Sequence, residues 1–352
     1  MNIRELARAC VHCGICLPKC PTYRVLKEEA DSPRGRVLLL EALEEGRLRA
    51  EDVRPSIDRC IGCRACETAC PSGVPYGRVL EEGRSALGGP GRLVRFSLRA
   101  LTRPKLVRLL VAAARILGRA PPRSRAGPWP DPPARPRARV ALHLGCVTPH
   151  LFPRLAGDLA YLLTRLGFRA EAPPGQTCCG ALHRHAGLDA GELEERNARA
   201  FAGYDLTVSA AAGCSTTRGF TDACRLLLEE ERLPAARLPR SRVAYDAPCH
   251  LLHAQGVDAS RLLDAIAGVE RVDLPGSDEC CGAGGIFMEL QGGLARRVRA
   301  EKLDRIAASG ADTVATPNPG CMLWLWRGLK ERGLRVAVAH PVSLLAGGVR
   351  NR

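Results

Sequence analysis

Apolar residues follow two rhythms along this chain. One recurs every three to four positions, as on one face of a helix. The other comes in short unbroken runs closed by glycine, proline or cysteine, as in buried strands. "SPRGRVLLLEALEEG" (32–46) follows the first rhythm and predicts a helix, with Ser32 or Asp31 placed to cap it and Pro33 suited to its first turn. "GRLVRFSLRALTRPKLVRLLVAAARILGRA" (91–120) does the same, and Pro104 is expected to split it into two helices. Its apolar stripe runs through Leu106, Leu109, Leu110, Ala113, Ile116 and Leu117, opposite a basic face. Such a helix either packs on its own protein or a partner, or lies on an anionic membrane.

The second rhythm occurs in duplicate. "RVALHLGC" (139–146) and "RVAYDAPC" (242–249) each read as a buried strand ending in cysteine. Each is followed by a helical stretch, by "CCG" and by a further helix. Each half then closes on a short strand and Gly-Cys, "DLTVSAAAGC" and "ADTVATPNPGC". Cys146, Cys178, Cys179 and Cys214 thus match Cys249, Cys280, Cys281 and Cys321 at offsets of 103, 102, 102 and 107. Strands alternating with helices imply two similar α/β units with short, mainly parallel sheets, whose sites lie at the strand C-terminal ends. A Pro- and Arg-rich stretch, "PPRSRAGPWPDPPARPRAR", reads as a semi-rigid linker ahead of them.

Four segments follow: 1–87, 88–139 (basic helices and linker), 140–240 and 241–352 (the two repeats). The expected fold class is an α+β multidomain chain, helical at its N-terminus and tandem α/β beyond. The 352 residues suffice for two or three domains with real cores. No apolar run reaches the ~18 residues of a membrane span. The charged start "MNIRELARAC" does not resemble a signal peptide, so a cytoplasmic chain, peripheral on the inner face of the membrane at most, is expected. The formal charge is +15, from 52 basic and 37 acidic residues. No nucleic-acid recognition module accompanies it, so no nucleic-acid partner is expected.

The N-terminal segment carries the sharpest chemistry. "CVHCGICLPKCP" (10–21) places four thiols in eleven residues, and "CIGCRACETACP" (60–71) repeats the spacing 50 positions later. Closely spaced thiols in such a chain suggest metal before disulfide. A C-x2-C-x2-C loop supplies three thiolates to one [4Fe–4S] cluster. In the two-cluster ferredoxin arrangement the fourth comes from the other run, just before its proline. That predicts Cys10, Cys13, Cys16 and Cys70 around one [4Fe–4S] cluster, and Cys60, Cys63, Cys66 and Cys20 around a second. Zinc prefers two C-x2-C pairs separated by a longer loop and fits this spacing poorly.

In the repeats, Cys146, Cys178, Cys179, Cys214, Cys249, Cys280, Cys281 and Cys321 read as ligands of one or two further iron–sulfur sites. Buried structural thiols and zinc in one half are the alternatives, the latter because His250 and His253 stand one helical turn apart beside Cys249. Cys214 and Cys321 each follow glycine before an apparent helix, where the dipole would favour thiolate. Cys224 has no repeat counterpart and reads as a free, partly buried thiol. No P-loop, dinucleotide fingerprint or flavin site is evident; "CCGAGGIF" lacks the G-x-G-x-x-G spacing. One-electron centres without a two-electron cofactor imply a relay: a partner oxidises the substrate and this chain passes electrons on.

"CVHCGICLPKCPTYRVL", "SPRGRVLLL", "DRCIGCRACETACPSGVPYGRVL", "LGCVTP", "CCGALHRHAG", "AGCST", "CHLLHAQ", "CCGAGGIF" and "NPGC" together resemble the iron–sulfur subunits of bacterial glycolate oxidases over nearly the whole chain. The resemblance implies a two-cluster ferredoxin domain joined to a tandem CCG domain. It also implies FAD-binding flavoprotein partners that oxidise glycolate to glyoxylate, with electrons passing toward the membrane quinone pool. Similar chains serve anaerobic glycerol-3-phosphate dehydrogenase, D-lactate oxidation and heterodisulfide reduction. In the last, each CCG half can end in C-x-x-C; here those closing positions are Thr217 and Trp324.

Overall fold

The computed structural model describes residues 3–351. Its N-terminal part is helical. Short helices at Ile3–Ala7, Pro21–Leu26, Pro33–Glu44, Ala50–Asp58, Ala65–Thr68 and Tyr76–Ala86 surround the two cysteine runs. The helix at Pro33 begins as the sequence predicts: Ser32 Oγ accepts the Gly35 N–H at 2.9 Å, and Pro33 takes the first position, where no N–H is needed. Val37, Leu40, Val53, Ile57, Val79 and Leu80 make the apolar core of this part.

Two helices follow, Arg92–Leu101 and Pro104–Ile116, divided at Pro104 as expected. The face that packs is not the predicted stripe. Val107 and Val111 are the residues buried, with Ala114 half-buried beside them, against Leu151 and Leu323. Leu109, Leu110, Ile116 and Leu117 remain 52–87% exposed. The helix has two apolar faces, and the narrower one meets the protein.

The repeats each build a four-stranded parallel sheet. The first contains β1 (Arg139–His143), β2 (Arg169–Glu171), β3 (Leu206–Ser209) and β4 (Phe220–Asp222), in the order β2-β1-β3-β4. The second contains β5 (Ala236–Tyr245), β6 (Ile266–Val272), β7 (Thr313–Ala315) and β8 (Ala337–Ala339), in the order β6-β5-β7-β8. β5 begins ahead of the 240/241 division. Both sheets contribute to one core, in which Val140, Leu142 and Leu159 lie in the same cluster as Val243, Tyr245 and Leu345. The second repeat has a further core that Ile61 of the N-terminal part enters. Among the described residues no helix is long and apolar enough to cross a membrane.

Candidate functional site

All four thiols of each CCG set follow the C-terminal ends of parallel strands. Cys146 comes after β1, Cys178 and Cys179 after β2, and Cys214 after β3. Cys249, Cys280, Cys281 and Cys321 follow β5, β6 and β7 in the same way. The parallel arrangement therefore gathers each set at one edge of its sheet. In the first set Cys178 lies between Cys146 and Cys179, and Cys179 reaches Cys214. In the second Cys280 lies between Cys249 and Cys281, and Cys281 reaches Cys321.

The N-terminal thiols also divide into two groups. Cys70 and Cys13 bear on Cys10, and Cys16 sits with Cys10 and Cys13. Cys20 stands with Cys60, Cys63 and Cys66. A small pocket of about 20 Å³ is walled by Cys20, Cys60, Cys63 and Cys66 together with Thr22, Arg36 and Tyr76. Each run thus lends its last cysteine to the other group.

The surroundings of that pocket suit a thiolate-bound cluster. Arg36 is wholly buried. It donates to Ser56 O at 2.8 Å, to Thr22 Oγ1 at 3.1 Å, to Asp31 Oδ1 at 3.2 Å and to Cys20 Sγ at 3.8 Å. Burial opposes its charge, yet Cys60, Tyr76, Cys20 and Asp31 hold it protonated. Thr22 Oγ1 and Tyr76 Oη lie 3.2 and 3.7 Å from Cys20 and Cys60 sulfur. A buried cation and hydroxyls around four sulfurs offset the negative charge of a cluster. Gly62, at φ +76°, turns the loop so that Cys60 and Cys63 both face inward.

Cys63 joins the two halves of the molecule. It packs, half-buried, against Cys249 and Cys280, and hydrogen bonds from these thiols lower its pKa well below the usual thiol range. On the helix Cys249–Gln255, His250 Nε2 donates to Gly62 O at 3.1 Å. His253 Nε2 donates to Asp278 O at 3.0 Å, and Thr68 Oγ1 donates to His253 Nδ1 at 3.0 Å. Both histidines are therefore hydrogen-bonded across the junction. Arg24–Glu279 at 2.7 Å and Lys19–Asp278 at 3.3 Å brace the same junction. Among the described residues, no group of three or more Cys, His, Asp or Glu side chains is set to hold a single metal ion. The thiols of a four-iron cluster each meet a different iron and stand further apart.

Two expectations about the CCG thiols change. Cys321 does lie in the first turn of a helix, Pro319–Glu331, but Cys214 sits in a run of turns with no helix directly after it. Nor do they favour thiolate. A hydrogen bond to Cys281, then burial, pushes Cys321 up; a hydrogen bond to Cys179, then burial, does the same to Cys214. Cys281 is the lowered thiol of the second set, through Cys280 and Cys321. Desolvation and neighbouring sulfur outweigh half a dipole charge here. Cys224 is fully buried, more deeply than expected, in the core that the two sheets share.

The sequence pattern alone did not single out His143. It ends β1, donates from Nε2 to Thr177 O at 3.0 Å and stands close enough to Cys214 to bear on its thiol. In "RVALHLGC" it stands opposite Asp246 of the second repeat's "RVAYDAPC", and that duplication was the available signal.

Residues 6–74 match the model of a 4Fe–4S dicluster domain. Residues 140–217 and 243–326 each match the cysteine-rich CCG domain. The chain is 31% identical to the glycolate oxidase iron–sulfur subunit of Escherichia coli K12, covering 97% of this chain and 94% of the relative. It is 30% identical to a probable glycolate oxidase iron–sulfur subunit of Bacillus subtilis 168, covering 96% and 92%. It is also 28% identical to one of the subunits of a fumarate reductase (CoM/CoB) of Methanothermobacter marburgensis, covering 96% of this chain and 71% of that one.

Proposed function

Because the chain belongs to the family of glycolate oxidase iron–sulfur subunits, we propose that it is the electron-relay subunit of a flavin-linked glycolate oxidase. In this reading an FAD-binding partner oxidises glycolate to glyoxylate, and the electrons leave toward a membrane quinone. Cys10, Cys13, Cys16 and Cys70 hold one [4Fe–4S] cluster; Cys60, Cys63, Cys66 and Cys20 hold the other; the CCG thiols hold one or two further iron–sulfur sites. Bound clusters would take up and release single electrons.

One observation carries the direction of flow. Cys13 is exposed, whereas Cys20, Cys60 and Cys66 are buried and Cys63 lies against Cys249 and Cys280. Val11 and Ile15, 69% and 55% exposed, flank the outer run as an apolar landing place for a partner. The outer run therefore faces donors, and the inner run faces the CCG thiols. The chain's own residues hold the thiols in place, keep water from the inner set and lend it positive charge through Arg36.

The test uses the native complex, purified without oxygen. Added glycolate should bleach the visible iron–sulfur absorbance and raise reduced-cluster EPR signals. Bleaching by glycerol-3-phosphate or D-lactate alone would replace the substrate. A disulfide-reducing role, the other reading the CCG repeats offer, has Thr217 and Trp324 against it, since neither half closes on C-x-x-C.

A further inference from the structure

The two CCG halves differ at one matched place. Three residues after Cys214 stands Thr217, and three after Cys321 stands Trp324. Thr217 Oγ1 donates its only proton to Cys179 O at 3.3 Å and accepts from Arg184 Nη2 at 3.2 Å. It has no donor left for the sulfurs of its set. Trp324 is buried too, at 3% exposure, but its indole N–H meets no acceptor among the described residues.

A buried N–H without an acceptor is rare and costly. This one sits among thiols. Trp324 follows Cys321 by one turn of the helix Pro319–Glu331, so the two share a helix face. A Cβ on Gly282 would meet Trp324 Nε1 at 3.3 Å. The nitrogen therefore lies against the residue directly after Cys281. Cys280, Cys281, Cys321 and Trp324 belong to one buried cluster, with Cys249 and Cys63 packed on it. Two sulfurs of the set already receive N–H groups: Gly282 N donates to Cys280 Sγ and Asn318 Nδ2 to Cys321 Sγ, each at 3.3 Å.

Arg299 fixes the ring. Its guanidinium carbon lies 4.0 Å from the centroid of Trp324, its Nη1 donates to Trp324 O at 2.9 Å, and its Nη2 pairs with Glu331. The arginine is 2% exposed. A Cβ at Gly328 would come within 2.7 Å of Arg299 Nε, so glycine there makes room for the guanidinium. A cation held over the ring face anchors the indole with its N–H edge toward the CCG turn.

We propose that the indole N–H of Trp324, positioned by Arg299, is a hydrogen-bond donor to the centre that Cys249, Cys280, Cys281 and Cys321 hold, and that it raises the potential of that centre. The proposal rests on the reading of these thiols as iron–sulfur ligands. A donor to cluster sulfur favours the reduced, more negative form. The second CCG centre gains this contribution. The first does not, because Thr217 directs its proton to a backbone carbonyl.

The test uses the full-length chain with its clusters, labelled with nitrogen-15 in the tryptophan indole, purified without oxygen and reduced with dithionite. The signal of the second CCG centre is the one that Cys321→Ser removes. Pulsed EPR on that signal should show a nitrogen-15 coupling in the parent. The coupling should vanish in Trp324→Phe, which keeps Trp129 and Trp326, and should weaken in Arg299→Met, which frees the ring. Against a dye of fixed potential, Trp324→Phe should lower the ratio of reduced to oxidised centre by about three- to tenfold, the effect of one hydrogen bond, with iron content unchanged. A parent without the coupling, or a Trp324→Phe centre that keeps the parent ratio, overturns the proposal and leaves the relay standing. If Cys321→Ser removes neither iron nor signal, the second set holds no centre, and the ligand reading falls together with the proposal. Coupling and ratio as expected in a complex that glycolate cannot bleach would keep the proposal and sink the relay's substrate.

Discussion

Lys302 Nζ meets Asp246 Oδ1 at 2.8 Å with both side chains sealed from water. The same ammonium donates to Gly276 O at 2.7 Å and Ser277 O at 3.1 Å, which fixes the loop leading to Cys280 and Cys281. In the first repeat a neutral group does this work: Asn197 accepts from Thr177 N at 2.8 Å and donates to Cys178 O at 2.9 Å. Lys302→Met strands a buried carboxylate, which is worth roughly 3–5 kcal/mol of lost stability. The double variant Lys302→Met, Asp246→Leu should recover most of that loss, because no charge is then left unpaired. Urea denaturation of the anaerobic protein, followed by loss of cluster absorbance, reads both. A single variant as stable as the parent would show that water reaches the pair.

Local signals made much of this legible. The Ser32 cap, the break at Pro104 and the strand–cysteine repeats are set by neighbours in sequence, and the structure has each of them. The choice of packed face on the helix Pro104–Ile116 was not legible, since apolar residues stand on both sides and only the fold brings Leu151 and Leu323 to Val107 and Val111. Contact of Cys63 with Cys249 and the bond from His250 to Gly62 join residues nearly two hundred positions apart, and no spacing encodes them. The turn after Cys214 escaped for a different reason: its Gly-Cys matches that of a true helix start at Cys321, and the residues that follow differ.

Asp222 gives a pH signature. Its carboxyl is buried and accepts from Cys224 N at 2.8 Å and Ser215 Oγ at 2.9 Å. Burial outweighs these bonds and pushes its pKa from 3.8 up to about 6. A raised carboxyl favours the folded state while protonated. That stability is full below pH ~4 and is lost as pH rises through about 6. Two pH units correspond to about 3 kcal/mol. Asp222→Asn keeps an acceptor for Cys224 N and removes the titration. Relative to the parent it should therefore gain stability as pH rises from about 4.5 to about 8, by about 2 kcal/mol. Denaturant midpoints across that range check it; parallel curves for the two proteins would place the titration elsewhere.

Arg36 should set the potential of whatever the Cys20 group holds. Its guanidinium is a wholly buried cation beside those sulfurs and donates to Cys20 Sγ at 3.8 Å. A positive charge stabilises the reduced form. Arg36→Gln should lower the midpoint potential of that centre by roughly tens of millivolts and leave the Cys10 group near its original value. Redox titration followed by EPR separates the two. Removing the charge also leaves Asp31 with Arg59 alone, at 2.9 Å, so some loss of stability accompanies the shift.

The crossing of the two runs has its own signature. Cys20 ends the first run but stands with Cys60, Cys63 and Cys66; Cys70 ends the second run but bears on Cys10. If ligands follow this geometry, Cys20→Ser damages the inner centre and Cys70→Ser the outer one. Each variant should lose about one cluster's iron, and the magnetic interaction between reduced centres should vanish in both. The two differ in which centre survives. In Cys70→Ser the survivor lies beside Arg36 and should keep that charge dependence, so adding Arg36→Gln still lowers its potential. In Cys20→Ser the survivor is the outer centre, and adding Arg36→Gln should leave its potential unmoved. The opposite pairing of responses would mean that each run closes on its own fourth cysteine.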